Sequence, residues 1–380
     1  MPPWPRYPVT VVGSWPRPSW LLDAMKGKRA DLKTLQDEAT LLAIKYQEDA
    51  GVDIVSDGEQ RRDNFYSFIC DRLDGIRLMS MAELLDYVEN KAAFEILLQA
   101  LDVPAFAIKN PTVVGKLRPR EPLVLDDFRF LRQHTRKPVK VTLPGPYLLS
   151  RSTWVKNLSE VAYPTRESLA DDMVNILRAE LRVLAAAGAD IVQFDEPVLT
   201  ELVFAGKSAT RTFMCAALAA SASPESELDF AVDLINRVVD GIEGPVIALH
   251  VCRGNWSQKE EILLRGPYDG LIPYFRRMKV RQFVLEFATP RAGSFDPLRE
   301  LPPDAQVGLG AVNPRTSEVE SPDEIVGRVQ RVAELIGSHR VFLNPDCGFG
   351  TFADRPVGTP GVAFRKLCAL SEAAEHLRRH

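Results

Sequence analysis

Short apolar runs rich in β-branched residues recur along the chain, and a longer pattern of helical periodicity follows most of them. The apolar residues in these runs are continuous rather than alternating, which is typical of strands that are buried on both faces. The runs predict eight strands: Val9 to Gly13, Val52 to Ser56, Val139 to Leu143, Ile191 to Asp195, Val246 to Val251, Phe283 to Phe287, Val307 to Ala311 and Val341 to Asn344.

The segments between the predicted strands show the periodicity of amphipathic helices. In the clearest of them, Arg166 to Ala187, large apolar residues recur at helical spacing, and Gly188 suits the end of the helix. The other predicted helices are Leu32 to Ala50, Leu228 to Ile242, Pro322 to Ile336 and Val362 to Leu377. This alternation is compatible with a closed parallel barrel or an open doubly wound sheet, and eight strands favour the barrel. We therefore predict an α/β fold, a (β/α)₈ TIM barrel.

One segment, from about Ile76 to Arg129, fits no single strand–helix unit. We predict that residues 76–129 form an insertion between strands 2 and 3, consisting of a helix and a hairpin. The chain of 380 residues is long enough for a barrel with such an insertion, and we expect residues 1–380 to form a single barrel.

Composition and charge narrow the classes of function. The chain has 47 basic and 51 acidic residues, a net charge of −4, and no long basic run, so nucleic acid and anionic membranes are poor candidate partners. No uncharged apolar stretch reaches the ~18 residues of a spanning helix, and the proline-rich start lacks the apolar segment of a signal peptide. The five cysteines are odd in number and widely spaced, which favours a reducing compartment. We expect a cytoplasmic enzyme.

Polar and metal-binding residue types lie at the ends of the predicted strands, where barrel enzymes build their active sites. These residues are Ser14, Glu59, Gly145, Asp195, His250, Cys252, Glu286, Asn313 and Cys347. His250 and Cys252 lie two residues apart and so on one side of a continuing strand, while Glu286 and Cys347 end two other strands. One nitrogen, two thiolates and one carboxylate suit tetrahedral Zn²⁺, and a substrate could replace the carboxylate. The sequence therefore predicts a zinc site.

A series of motifs runs along nearly the whole chain: Val12-Gly-Ser14, Asp53-Ile-Val-Ser-Asp-Gly-Glu59, Leu143-Pro-Gly-Pro146, Val192-Gln-Phe-Asp-Glu-Pro197, His250-Val-Cys252, Glu286 and Asn344-Pro-Asp-Cys-Gly348. In this order they resemble the zinc-bearing C-terminal barrel of the cobalamin-independent methionine synthase family. The resemblance implies that zinc, held by His250, Cys252, Glu286 and Cys347, binds the thiol of homocysteine. It also implies that Glu59 and Asp195 hold the ammonium group of homocysteine, as the catalytic positioning pair, and that Ser14 binds its carboxylate.

The chain departs from the family pattern at two places that bear on the methyl donor. The family has an aspartate and a histidine, credited with proton donation, where Asn313 and Arg315 align here. The family tryptophan that stacks on the folate aligns with Ser152, and Trp154 is two residues away. Methyltetrahydrofolate needs a proton on its leaving nitrogen, whereas a reduced cobalamin leaves without one. The sequence therefore favours a short, core-type methionine synthase that uses methylcobalamin, carried on a corrinoid protein, and keeps methyltetrahydrofolate as the other donor.

Two other functions stay open on the sequence. The epoxyalkane:coenzyme M transferases are single-barrel zinc enzymes that attack an epoxide with a zinc-bound thiol. The chain is similar to them in the segments that end at Glu59 and at Pro197. The second alternative is a catalytically inactive barrel that binds zinc or a corrinoid partner without turnover.

Overall fold

The structure is a computed structural model that describes residues 4–87, 91–92, 109–204, 223–353 and 356–379. Its strands are β1 (Leu73–Ser80), β2 (Lys109–Pro119), β3 (Lys140–Pro144), β4 (Ile191–Asp195), β5 (Val246–Val251), β6 (Gln282–Glu286), β7 (Gln306–Val312) and β8 (Val341–Pro345). Strands β3 to β8 form one parallel sheet in chain order, with every residue of β3, β4, β6 and β8 buried. This burial on both faces explains why the sequence shows continuous apolar runs there.

Two further segments close this sheet into a ring. Val9 pairs in parallel with Leu343 of β8, Thr10 pairs with Ile54, and Val55 pairs with Val139 next to β3. The predicted strands at Val9 to Gly13 and Val52 to Ser56 are therefore present as isolated bridges rather than as full strands. In the first segment, the backbone N–H of Val9 donates to the side chain of Asp53 at 2.8 Å and not to a strand carbonyl. Eight parallel segments in a ring are the arrangement of a (β/α)₈ barrel.

Helices cover the outside of the ring, and the five predicted ones are present among them. The longer ones are Ser19–Gly27, Leu32–Asp49, Leu125–His134, Pro146–Thr153, Arg166–Ala186, Pro224–Val239, Pro322–Ile336 and Pro360–Arg379. The helix from Pro322 begins at a capping box, in which Ser321 and Glu324 satisfy each other's backbone N–H groups. Among the described helices, none combines the length and the apolar character needed to cross a bilayer.

The extra segment between the second and third units is an antiparallel hairpin of β1 and β2. It starts a few residues before the predicted Ile76. It ends before the helix Leu125–His134, which contacts the helices Leu32–Asp49 and Arg166–Ala186 as a barrel helix would. The predicted end at Arg129 falls inside this helix, and the insertion bounds 76–129 stay a prediction. Residues 88–90 and 93–108 of the predicted insertion lie outside the described residues.

Candidate metal and substrate site

A histidine and two cysteines meet at the carboxyl end of the barrel. His250 lies near the end of β5, Cys252 follows that strand directly, and Cys347 lies just after β8. Their ligand atoms all lie within 4.8 Å of one another, and the three side chains are buried. The convergence of strand ends predicted from the sequence thus brings these three residues together.

The imidazole of His250 is oriented for metal binding through one nitrogen. Its Nδ1 is 2.9 Å from Oδ1 of Asp195, which also accepts a hydrogen bond from Gln193 at 2.9 Å. Its Nε2 is buried and has no hydrogen-bond partner among the described residues. A carboxylate on one ring nitrogen fixes the tautomer and directs the other nitrogen to a metal. Two thiols and this free nitrogen fit the donor set of Zn²⁺.

A hydrogen bond also joins the thiols of Cys252 and Cys347, and a cation could take the place of its proton. The hydrogen bond from Cys347 lowers the pKa of Cys252, and the same bond raises the pKa of Cys347. Burial opposes a charged imidazole, but the hydrogen bond to Asp195 and the neighbouring thiol of Cys252 raise the pKa of His250 to about 10. Binding of a divalent cation would replace these protons, because thiolates and neutral imidazole are the ligand forms.

Glu286, the predicted fourth ligand, lies outside this three-residue group. Its side chain is fully buried, and Oε2 accepts hydrogen bonds from the backbone N–H of Arg253 at 3.0 Å and from Nδ2 of Asn255 at 3.1 Å. Its Oε1 pairs with the guanidinium of Arg291. Burial alone would raise the pKa of Glu286, but Arg291 and Arg253 hold it below its usual value. Glu286 as a zinc ligand stays a prediction.

A cavity of about 620 Å³, including its open mouth, adjoins the cluster. Its lining contains the predicted substrate residues Ser14, Glu59 and Asp195, together with His250 and Cys252. The hydroxyl of Ser14 accepts a hydrogen bond from the backbone N–H of Gly350 at 3.3 Å. A hydroxyl can donate its proton while it accepts, so Ser14 can also donate to a ligand in the cavity.

Glu59 enters the cavity through an unusual backbone conformation. Its φ of 55° is left-handed, and its backbone N–H donates to Oδ1 of Asp57 at 3.0 Å, which stabilises this turn. Thr142 donates to Oε1 of Glu59 at 2.9 Å. Burial raises the pKa of Glu59; Arg62 opposes the shift, while Asp195 and Asp57 add to it. Two buried carboxyl groups on one cavity favour a cationic ligand, because a cation relieves their repulsion.

The residues that depart from the family pattern lie outside the cavity lining. Ser152 and Trp154 are not part of the cavity lining: the Ser152 hydroxyl donates to the carbonyl of Leu148, and Trp154 Nε1 donates to that of Tyr163. Asn313 accepts a hydrogen bond from the backbone N–H of Arg315, and neither residue lines the cavity.

Sequence reasoning missed the aromatic side of the cavity. Phe65, Trp256 and Phe352 line it, and all three lie on loops with no periodic pattern to single them out. Their position next to site motifs is the only available signal, since Trp256 follows Cys252 closely and Phe352 follows Cys347. Of the other cysteines, Cys70 and Cys368 are half-buried and far in sequence from the site, while Cys215 lies outside the described residues.

Fold and site together define a class: a (β/α)₈ barrel with a histidine–dithiol cluster at its catalytic end. Comparisons with known proteins narrow this class. The family model described as "Cobalamin-independent synthase, Catalytic domain" matches residues 7–359. The chain is 32% identical over 383 residues to a methionine synthase of Pyrococcus furiosus, covering 99% of this chain and 94% of that protein. It is 26% identical over 381 residues to a methionine synthase of Saccharolobus solfataricus, covering 98% and 96%.

A solved structure supports the fold. The B12-independent methionine synthase of Shewanella sp. W3-18-1, in complex with selenomethionine, superposes with a TM-score of 0.75 at 24% sequence identity, covering 99% of this chain and 98% of that one. The chain belongs to the cobalamin-independent methionine synthase family. It is thereby a methyltransferase of methionine biosynthesis, and homocysteine is the methyl acceptor of that reaction.

Proposed function

We propose that the chain is a zinc-dependent homocysteine S-methyltransferase that uses methyltetrahydrofolate. The observation that carries this proposal is the cluster of His250, Cys252 and Cys347, with a free imidazole nitrogen, beside a cavity that contains two buried carboxyl groups. Zinc held by these residues, with Glu286 as the predicted fourth ligand, would lower the pKa of the substrate thiol and so make its sulfur nucleophilic at neutral pH.

The protein side chains position the amino acid for this chemistry. Glu59 and Asp195 attract the ammonium group of homocysteine, and the Ser14 hydroxyl donates to its carboxylate. These contacts fix the amino acid end, so that the sulfur is presented to the cluster and to the methyl donor in one orientation. The sulfur then forms a bond to the methyl carbon, and the bond between that carbon and the donor breaks with its electron pair left on the donor.

Two observations bear on the methyl donor: the family to which the chain belongs, and the positions at which the chain departs from the family pattern. The cobalamin-independent family supports methyltetrahydrofolate, and the comparisons give no support to the methylcobalamin or corrinoid-protein donor favoured by the sequence. Asn313, Arg315 and Ser152, which depart from the family pattern and favoured that donor, do not line the cavity themselves, although Arg315 donates to the lining residue Asn255. The proton for the leaving nitrogen must then come from another group or from solvent.

An assay of methionine formation tests the proposal directly. Zinc-loaded protein with homocysteine is offered methyltetrahydrofolate in one reaction and methylcobalamin in another. We expect methionine with methyltetrahydrofolate at a rate at least 10-fold above that with methylcobalamin, and none after the zinc is removed by a chelator. Product with methylcobalamin alone would contradict the folate assignment and restore the corrinoid donor. The absence of product with both would refute the proposed function.

The charges in the cavity weigh against coenzyme M as the thiol. Coenzyme M carries a sulfonate and no amino group, so Glu59 and Asp195 would repel it instead of holding it. Homocysteine should therefore displace coenzyme M from the zinc-loaded protein, and the reverse result would favour the epoxyalkane:coenzyme M transferase alternative. A protein that contains negligible zinc after native purification would favour the catalytically inactive barrel.

Gly13 offers a test of the ammonium site that leaves the metal ligands intact. A Cβ on Gly13 would lie 2.3 Å from Oε1 of Glu59 and would push that carboxyl group out of position. We expect Gly13→Ala to weaken homocysteine binding about 10-fold, the size of one hydrogen bond to a charged group, with zinc content unchanged. Calorimetric titration of homocysteine into zinc-loaded protein measures this effect.

The matched control for Gly13→Ala is Gly327→Ala, on the outer helix Pro322–Ile336, where a Cβ meets nothing within 4 Å. This variant should bind homocysteine like the unmodified protein. Unchanged binding by Gly13→Ala would show that Glu59 does not contact the ligand.

A further inference from the structure

A buried arginine next to the cavity joins loops that form the substrate site. Arg17 follows Ser14 by three residues, and its side chain is buried but does not line the cavity. Its Nη2 donates to the backbone carbonyl of Glu59 at 2.6 Å, and its Nη1 donates to that of Gly350 at 3.0 Å. Glu59 lies in the loop after the second parallel segment of the ring, and Gly350 lies in the loop after β8. One guanidinium group therefore connects three loops at the carboxyl end of the barrel.

The first carbonyl that Arg17 binds belongs to a residue with a strained backbone. The φ of Glu59 is 55°, a left-handed conformation that is unfavourable for a residue with a Cβ. Hydrogen bonds on both sides hold it: the N–H donates to Asp57 at 3.0 Å, and the carbonyl accepts from Arg17 and, at 3.1 Å, from the backbone N–H of Arg62. Strain of this kind persists only where the surroundings fix it. The direction of the Glu59 side chain into the cavity therefore depends on these bonds.

The second carbonyl belongs to a loop that has other anchors. The carbonyl of Ser14 accepts a hydrogen bond from the backbone N–H of Phe349 at 2.9 Å, and the Ser14 hydroxyl accepts one from Gly350 at 3.3 Å. Loss of Arg17 leaves both of these bonds in place. We therefore expect the position of Glu59 to change more than that of the loop after β8.

Arg17 keeps its positive charge in this buried place. Burial lowers the pKa of Arg17 to about 10, while the neighbouring carboxyl groups of Glu59 and Asp63 favour the charged form. The side chain is thus cationic at neutral pH, and a charged donor makes a stronger hydrogen bond than a neutral one. Its Nε is buried and has no hydrogen-bond partner among the described residues, so the two Nη groups carry the interaction.

We propose that Arg17 is a positioning residue for the methyl acceptor: by tying the carbonyl of Glu59 to the loop after β8, it sets where the Glu59 carboxyl group meets the ammonium group of homocysteine. This inference rests on the proposed function, in which Glu59 attracts that ammonium group. Arg17 does not touch the ligand, and no bond forms or breaks at its guanidinium. It acts before the chemical step, because a preformed ammonium site reduces what the amino acid must order when it binds.

Arg17→Lys tests this role because it keeps the positive charge and removes the planar fork. An ammonium group is a single point of charge and cannot reproduce the geometry that reaches both carbonyls. We expect homocysteine to bind about 10-fold more weakly, the size of one hydrogen bond to a charged group, with the zinc content unchanged. Calorimetric titration of homocysteine into zinc-loaded protein measures the affinity, and elemental analysis measures the zinc.

A double-mutant cycle shows whether Arg17 acts through Glu59. Glu59→Gln removes the charge that Arg17 is proposed to position, so in that background Arg17→Lys should weaken homocysteine binding by less than about 3-fold. In the Asp195→Asn background, where Glu59 is intact, Arg17→Lys should still weaken binding by about 10-fold. General damage to the fold would weaken binding by the same factor in all backgrounds.

Arg340→Lys is the matched control. Arg340 is also a buried arginine whose guanidinium donates to backbone carbonyls, those of Ala305 at 2.5 Å and Pro302 at 2.7 Å. It directly precedes β8 and so lies at the opposite end of the barrel from the cavity. This variant should bind homocysteine like the unmodified protein.

Chemical rescue gives a second readout that does not require lysine to be tolerated. Arg17→Ala leaves a space next to the two carbonyls that a guanidinium ion can enter. Millimolar guanidinium chloride should restore most of the homocysteine affinity that Arg17→Ala loses. The same concentration of ammonium chloride should not, because the ammonium ion lacks the planar set of donors.

Two results would overturn the inference and leave the proposed function standing: unchanged homocysteine binding by Arg17→Lys, or an equal loss from Arg17→Lys in the unmodified and Glu59→Gln backgrounds. A different pair of results would count against the proposed function itself. If unmodified zinc-loaded protein does not bind homocysteine, or if Glu59→Gln binds it as tightly as the unmodified protein, the ammonium site is wrong and the role of Arg17 fails with it.

Discussion

Serine in place of Cys252 or Cys347 is expected to lower zinc affinity by more than ~100-fold and to abolish methionine formation. Substitutions in the outer shell of metal sites cost ~10–100-fold, and these residues are proposed to touch the metal itself. A serine hydroxyl keeps its proton at neutral pH and is a poor ligand for zinc, which prefers thiolate and imidazole. The cluster brings together three candidate ligands, so the loss of one leaves a pair.

Zinc stoichiometry by elemental analysis, combined with chelator competition, measures this loss. Cys368→Ser is the matched control, because Cys368 is a half-buried free cysteine on the helix Pro360–Arg379 and is remote from the cavity lining. It should keep full zinc content and activity. A Cys347→Ser protein with full zinc and full activity would refute the site.

Asp195→Asn is expected to reduce both zinc affinity and homocysteine affinity. The resemblance assigned Asp195 to the ammonium group alone, but its Oδ1 also pairs with Nδ1 of His250 at 2.9 Å. A neutral amide is a weaker partner for the imidazole, so zinc affinity should fall about 10-fold. It also lacks the charge that attracts an ammonium group, so homocysteine affinity should fall by about 10–100-fold.

Glu59→Gln separates the two roles of Asp195. Glu59 lines the same cavity but bonds to Thr142 rather than to His250, so its amide variant should lose homocysteine affinity to a similar degree and keep its zinc affinity. Chelator competition and calorimetric titration on both variants make the comparison. Normal zinc affinity in Asp195→Asn would mean that the hydrogen bond to His250 is dispensable for the metal site.

Elements whose pattern arises from burial could be predicted from the sequence. The strands Ile191–Asp195 and Val246–Val251 and the helix Pro322–Ile336 agree with the predicted bounds, because continuous apolar runs and a capping residue mark their ends. The first two strands could not be predicted as bridges. In the first of them, the side chain of Asp53 accepts the backbone N–H of Val9, an interaction without a periodic signal.

The candidate site likewise has a part that could be predicted from the sequence and a part that could not. His250, Cys252 and Cys347 could be grouped from the sequence because barrel strand ends converge, whatever the loops do. The state of Glu286 could not, since it depends on Arg291 and Asn255, which come from loops after two different strands. Ion pairs between loops leave no spacing rule in the chain, so only three-dimensional structure reveals them.

The bridge between Val9 and Leu343 has a consequence for folding of the chain during its synthesis on the ribosome. It joins the beginning of the described chain to β8, and the same seam brings the N–H of Gly350 to the Ser14 hydroxyl, next to Cys347. Contacts this distant in sequence form slowly, because the intervening chain must first be ordered or confined. The nascent chain must therefore wait for β8 to leave the exit tunnel before the seam closes. Until then the N-terminal segment has only its partner at Ile54, and its edge toward β8 is open to chaperone binding or premature aggregation.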